Sequence, residues 1–375
     1  MAANPSLRTS DPTDPARRKD RGAGANPLGR FEPLGRVTRD KHWDFRGLEW
    51  PGGTGGGEPL PALATTVTRD HSRTVIARNQ SPDIPFDRSI NPYSGCEHGC
   101  VYCYARPTHE YFGLSPGLDF ETKIFVKEDA PELLRRELSS RRWKPQVLAL
   151  SGVTDPYQPI EGKFRLTRRC LEVLRDFRNP VQIITKNHLV RRDVDLLGEL
   201  STFDAAAVYL SVTTLRREVH KVLEPRTCHP ERRLEAIQEL SEAGIPVGVL
   251  VAPVIPGLTD HELPKIIERA AEAGARRGGY VMLRLPGAVR QLFEGWLEEH
   301  FPDRKNKVLD RIRSLRAGQL NDTRFGHRMR GEGIFADQVA ELFRIACSRA
   351  GLERKPFELS SRHFRNPKGQ QLEFF

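Results

Sequence analysis

For residues 81–287 the sequence predicts an α/β fold, a partial (β/α)6 barrel of the TIM type built from about six parallel strand–helix units. Three observations carry this. Short apolar runs recur with the length of strands buried on both faces. Amphipathic segments of helical periodicity separate them. The connections are short, which calls for parallel strands joined by right-handed crossovers.

In chain order, the first strand runs through Ser89–Tyr93 into a cysteine-bearing loop. Val147–Leu150, Val181–Thr185, Val208–Val212, Val247–Val251 and Tyr280–Leu285 follow. Asp129 and Glu132 form a capping-box pattern ahead of Leu133, Leu134 and Leu138. Leu171, Val173, Leu174 and Phe177 mark the next helix. Pro230 opens another, carrying Leu234, Ile237 and Leu240, and Gly244 is placed to end it. Thr259 and Glu262 make a second capping box, with Gly274 as the stop. These units are too few to close an eight-unit barrel, so the barrel is partial.

Residues 1–80 read as a mostly disordered extension, rich in Gly, Pro, Arg and Asp, with Gly52–Gly57 a flexible stretch. Residues 288–375 read as a small helical extension. It begins with a basic stretch holding Arg311, Arg313 and Arg316, then the run Phe325–Gly333. A helix near 335–350 places Val339, Leu342, Phe343 and Ala346 on one stripe suited to core packing, and a flexible tail ends the chain.

The 375 residues carry a formal net charge of +10. That favours an anionic partner, nucleic acid first, although a basic tail such as Ala16–Gly24 accounts for part of the excess. No run reaches the ~20 apolar residues of a membrane span. Met1–Arg30 holds no apolar run fit for a secretory signal, so a cytoplasmic protein is expected. Of six cysteines, Cys96, Cys100 and Cys103 are clustered, whereas Cys170, Cys228 and Cys347 are scattered. This pattern indicates one metal site and isolated thiols, not a disulfide framework.

Three thiolates at this spacing can wrap one face of a cubane iron–sulfur cluster, leaving one iron open to a small molecule. Gly95 and Gly99 let the chain turn between the ligands. Two other readings of the loop stay open. A Cys3His zinc site would use His98 or a distant histidine. An electron-transfer cluster would take Cys170, Cys228 or Cys347 as its fourth ligand.

Cys-x3-Cys-x2-Cys, with Tyr102 just before the third cysteine, resembles the radical S-adenosylmethionine (SAM) superfamily. The run SINPYSGCEHGCVYCYARP and the later Thr154-Asp155-Pro156-Tyr157-Gln158-Pro159 resemble its spore photoproduct lyase-like group, often labelled DNA repair photolyase-related. The resemblance is to a branch of unassigned substrate and covers roughly Pro82 to Pro286. It implies a [4Fe-4S] cluster on Cys96, Cys100 and Cys103, and reductive cleavage of SAM to a 5′-deoxyadenosyl radical that takes a hydrogen atom from the substrate. It also implies a reductase such as flavodoxin or ferredoxin, and a nucleic-acid substrate; a protein or metabolite substrate is the alternative. A non-catalytic metal-bound nucleic-acid-binding protein is a further one.

The resemblance also assigns residues. Tyr102 would lie against the adenine, and Val251–Gly257 would pack on it. Thr154 and Asp155 would accept from the SAM ammonium. Lys186 would meet the carboxylate, and Ser211 the carboxylate or ribose. Tyr104 matches a tyrosine of the photoproduct lyase radical relay. Those lyases carry a hydrogen-donating cysteine two residues before the position of Thr154, where this chain has Gly152, which puts lesion reversal in doubt. The last five residues, Gln371–Phe375, resemble the peptide by which bacterial proteins dock on the DNA sliding clamp.

Overall fold

The structure is a computed structural model, and it describes residues 21–27, 29–30 and 64–367. Among the described residues ten strands form two sheets: β1 Thr66–Arg69, β2 Ile76–Arg78, β3 Arg88–Ile90, β4 Tyr93–Ser94, β5 Lys123–Val126, β6 Leu148–Leu150, β7 Val181–Thr185, β8 Ala206–Ser211, β9 Val247–Val254 and β10 Arg277–Met282. The larger sheet has the order β10-β9-β8-β7-β6-β3-β2. Within it β3, β6, β7, β8, β9 and β10 are all parallel, and β2 pairs antiparallel on the edge. The six-unit parallel barrel expected from the sequence is therefore present, open between β10 and β2.

Its central strands are short and mostly apolar because both faces are covered. β6 and β8 are buried along their whole length. Around them lie helices Ala130–Leu138, Leu166–Phe177, Val194–Ser201, Pro230–Glu242 and Leu263–Glu272. Their apolar stripes and the strand side chains make one core that includes Leu134, Leu174, Leu197, Ile237 and Ile267. Burial of such side chains at ~25 cal/mol per Å² is what opposes chain entropy here.

Local signals performed unevenly. Pro230 is at the start of its helix, and Gly244 and Gly274 end theirs with positive φ, as expected. Neither capping box forms. Asp129 makes no cap hydrogen bond and instead meets Arg69 at 2.9 Å. Glu262 turns away from Thr259 to accept from Thr214 Oγ1 and Leu215 N, at 2.7 and 2.8 Å. Tertiary partners outbid a bond to the local backbone in both cases.

The small sheet, β1-β5-β4, was not foreseen. β1 lies inside the stretch expected to be an extension, and residues 21–27 of that stretch also pack on the barrel. Beyond β10, helices Val289–His300 and Pro302–Ser314 build a second core with the cysteine loop. The basic stretch is not a free patch: Arg311 meets Asp260 at 3.1 Å, Arg313 meets Asp310 at 2.7 Å, and Arg316 is buried. On helix Ile334–Ala350, Val339, Phe343 and Ala346 are buried and Leu342 is exposed. Among the described residues no helix is long and apolar enough to cross a membrane.

Candidate active site

Parallel strands put their C-terminal ends on one rim, and the cysteine loop follows β3 on that rim. Cys96 N donates to Phe120 O at 2.9 Å, and Cys103 N to Cys100 O at 3.2 Å. The carboxamide of buried Asn91 ties the loop to the turn after β6 by accepting from Val153 N and Thr154 N, at 3.1 and 3.3 Å. Thr154 is buried there, its hydroxyl donating to Tyr93 O at 3.1 Å.

Cys96 and Cys100 are buried, Cys103 is half-buried, and all three are free thiols. Burial pushes each thiol up, and mutual repulsion adds to the effect at Cys96 and Cys100. Three adjacent thiolates in such a place are tolerable only beside concentrated positive charge, which iron supplies. Among the described residues no group of His, Cys, Asp or Glu is gathered closely enough to hold one metal ion. A cubane suits that spacing because each thiolate takes a different iron, whereas zinc needs its ligands around one point.

His98 does not present a free ligand nitrogen. Its Nδ1 lies 3.4 Å from Asp155 and its Nε2 3.2 Å from the Asn187 amide. Cys170 and Cys347 belong to the core between sheet and outer helices, and Cys228 Sγ is tied to Lys186 O at 3.1 Å. The zinc and four-cysteine readings lose their named extra ligands by these contacts.

Asp155 is held by several donors of the protein itself. Its carboxylate accepts from Thr185 Oγ1 at 2.6 Å, Lys186 N at 2.7 Å and Tyr157 N at 2.9 Å, besides the His98 contact. Burial would raise it, but His98 and these donors hold it below the usual carboxylate range. Its acceptor capacity is therefore filled by ties between the β6 turn and the end of β7.

Lys186 and Tyr102 meet at a residue that the sequence did not single out, Glu224. Lys186 Nζ lies 3.2 Å from Glu224 Oε1, 3.1 Å from Thr213 Oγ1 and 2.7 Å from Ala252 O. The buried Tyr102 hydroxyl donates to the same carboxylate, and Lys186 Nζ stands 5.6 Å from the Tyr102 ring centre. Arg233, fully buried, pairs with the other Glu224 oxygen and donates to Ser211 O at 2.8 Å. Ser211 itself is buried at the end of β8. Burial would push the Glu224 carboxyl up, yet Arg233 and Lys186 hold it well below its ordinary range. Glu224-Pro225 follows helix Arg217–Leu223 with no periodicity or spacing to mark it, so only the three-dimensional structure shows it.

At the rim, Tyr104 is half-exposed and donates to Gly152 O at 2.7 Å. Arg284, just past β10, lies over the Tyr104 ring at 5.4 Å. Among the described residues its buried Nε has no partner, and its Nη1 reaches the Met329 sulfur at 3.6 Å. Arg328 stacks on the exposed Phe325 ring at 4.5 Å. Met329 O accepts from Met282 N beside β10, while Arg328 pairs with Asp83 between β2 and β3. The Phe325–Arg330 turn thus bridges the two open edges of the barrel. The clamp-like residues Gln371–Phe375 and the Gly52–Gly57 stretch lie outside the described residues.

A family model described as the Radical SAM superfamily matches residues 90–270. An uncharacterised protein of Mycobacterium tuberculosis is 38% identical over 244 residues, 64% of this chain and 71% of that protein. An uncharacterised protein of Methanocaldococcus jannaschii is 34% identical over 214 residues, 57% of this chain and 76% of that protein. A Pseudomonas phage protein named radical SAM Nα-GlyT isomerase is 25% identical over 257 residues, 67% of this chain and 51% of its own. Among solved structures, a spore photoproduct lyase variant with bound AdoMet and dinucleoside spore photoproduct has the same fold, with a TM-score of 0.55 and 16% identity over 78% of this chain and 82% of that one.

Proposed function

The chain belongs to the radical SAM superfamily, whose enzymes use a [4Fe-4S] cluster and SAM, and from that premise we propose that it cleaves SAM reductively to act on a nucleic-acid substrate. The observation that carries the reading is the placement of three free cysteines on the same barrel rim as Lys186 and Tyr104. Cys96, Cys100 and Cys103 would hold the cluster. When bound, cluster and SAM together supply one-electron chemistry that ends in removal of a hydrogen atom from the substrate.

The chain's own residues do the rest. Lys186 offers an ammonium to the SAM carboxylate by exchanging one of its three present acceptors. Glu224 and Arg233 hold that lysine and the Tyr102 ring in place, so Tyr102 and Val251–Gly257 form the adenine side. Thr154 remains the nearer candidate for the SAM ammonium, and Asp155 acts by fixing the turn around it. Ser211 completes the carboxylate or ribose side. The bridging turn at Arg328 keeps water from the open flank.

A nucleic acid is supported by the net charge of +10 and by the arginine-on-aromatic pairs Arg284–Tyr104 and Arg328–Phe325 at the rim. Exposed aromatics stack bases, and a guanidinium over such a ring adds to that stacking. The photoproduct lyase structures with a dinucleoside lesion fit this reading. The phage relative's name favours a second outcome at the same site, isomerisation, which suits the absence of a cysteine at Gly152. Flavodoxin or ferredoxin is the electron donor in this reading, and Gln371–Phe375 is a sliding-clamp tail; its deletion must weaken clamp binding.

The test is anaerobic reconstitution with iron and sulfide, then dithionite and SAM, assayed for 5′-deoxyadenosine. Formation that disappears in Cys100→Ala is expected. A loaded, reducible cluster that never cleaves SAM, with DNA or RNA present, overturns the reading.

A further inference from the structure

Residues 21–27 cross the outside of the cysteine loop, and their composition, Arg-Gly-Ala-Gly-Ala-Asn-Pro, fits the space they occupy. Gly22 N and Ala23 N donate to the two oxygens of Glu121, at 3.0 and 2.8 Å. Arg21 Nη1 reaches Glu121 O at 2.9 Å. A side chain at Gly22 is excluded: its Cβ would stand 1.6 Å from Gly99 O, in the turn between the first two cluster cysteines. Ala23 is 1% exposed and packs with Cys100, Val101 and Tyr102. Asn26 and Asp119 exchange two hydrogen bonds, and Ser115 Oγ donates to Pro27 O at 2.7 Å.

Glu121 connects this segment to a ligand residue. It is fully buried and pairs with Arg106 at 2.5 Å, which is also fully buried. Arg106 Nε and Nη2 both donate to Cys100 O, at 3.0 and 2.9 Å. The ties run from the Gly22–Ala23 backbone through Glu121 and Arg106 to the Cys100 peptide. Lifting the segment would strip a buried carboxylate of two donors and uncover the outer side of the Cys96–Cys100 turn.

We infer that Arg21–Pro27 is a strap belonging to the cluster site: Glu121 and Arg106 are positioning residues for Cys100, and the docked strap excludes water, oxygen and chelators from the cluster. This rests on the cluster reading above. The radical chemistry needs a cluster that survives between turnovers, and the strap covers the outer side of the Gly99–Val101 turn.

The experiment compares the full chain with Gly22→Val, Glu121→Gln, a deletion of residues 1–27, and a deletion of residues 1–20 that leaves the strap. Each is reconstituted anaerobically, checked for iron content and circular dichroism, then exposed to air or EDTA while the cluster's visible absorbance is followed. Loss about tenfold faster is expected for the first three, and unchanged loss for the last. In cluster-free chains, mass spectrometry after brief maleimide labelling is expected to show faster modification of Cys100 in the same three. Failure of the full chain to load any cluster would remove the cluster reading itself. Equal bleaching and equal Cys100 labelling in all five proteins, with full loading, would overturn the strap.

Discussion

The Tyr104 hydroxyl donates to the carbonyl of Gly152 at 2.7 Å, joining the residue after Cys103 to the turn after β6. The contact links two loops that the chain separates by 48 positions. It ties the backbone at Gly152 to the cysteine loop. Tyr104→Phe keeps the ring under Arg284 and removes a bond worth about 1 kcal/mol. SAM cleavage should persist while less of it leads to product. The measurement is the ratio of 5′-deoxyadenosine to converted substrate, expected to rise several-fold; an unchanged ratio would leave Tyr104 as a fastener of the turn.

Gly152 has φ +113°, and an added Cβ would meet nothing nearer than Ser89, at 3.7 Å. The obstacle to a side chain is therefore backbone strain, not space. Gly152→Ala should lower stability by roughly 1–3 kcal/mol. Denaturant unfolding of the cluster-free protein measures it, and a change near zero would mean the turn relaxes freely.

Glu224 holds Lys186, Arg233 and Tyr102 together out of water. Glu224→Gln leaves Arg233 buried without its counter-charge, and breaking a buried pair in this way costs roughly 3–5 kcal/mol. Urea unfolding should show that loss. A loss below ~1 kcal/mol would mean that water reaches Arg233.

His109 and His220 are both buried, and burial holds each imidazole near a pKa of about 4, against an ordinary value of 6.5. A depressed histidine binds its proton more readily in the unfolded chain. Stability is therefore complete above about pH 6.5 and falls as pH drops toward 4, by up to ~1.4 kcal/mol per pH unit for each group. His109→Gln keeps a donor for Lys123 O and removes one titration. Unfolding free energies at pH 7 and pH 5 should converge in that variant relative to the parent; identical slopes would exclude His109 as a source.

Among the described residues the buried Nε of Arg284 has no hydrogen-bond partner. If a nucleic-acid phosphate meets the accessible part of this guanidinium, Arg284→Met should weaken oligonucleotide binding and reduce the slope of log affinity against log salt by about 1. Fluorescence anisotropy across a salt series gives that slope, and an unaltered slope would place the phosphate elsewhere.

The barrel was legible because burial on both faces forces short, almost purely apolar strands, and helical periodicity between them needs no tertiary information. Cys96, Cys100 and Cys103 were legible for a similar reason, since one loop supplies all three and spacing alone identifies them. The capping boxes at Asp129 and Thr259 misled because Arg69 and the residues after β8 offered better partners from across the fold. Residues 21–27 were not legible because a Gly-rich, charged segment carries no apolar periodicity, and the contacts that call for its small residues are tertiary.

The sequence by itself therefore determined the strand–helix alternation, the cysteine loop and the candidate strand-end residues, all set by short-range pattern. Tertiary structure alone decided that Asp155 is spent on His98 and the end of β7, that Glu224 gathers Lys186 and Tyr102, and that Gly22 lies against Gly99. Each of these is a contact between residues distant in the chain. No local pattern encodes such a meeting, because it is the packing of the whole core that selects which polar groups must satisfy one another away from water.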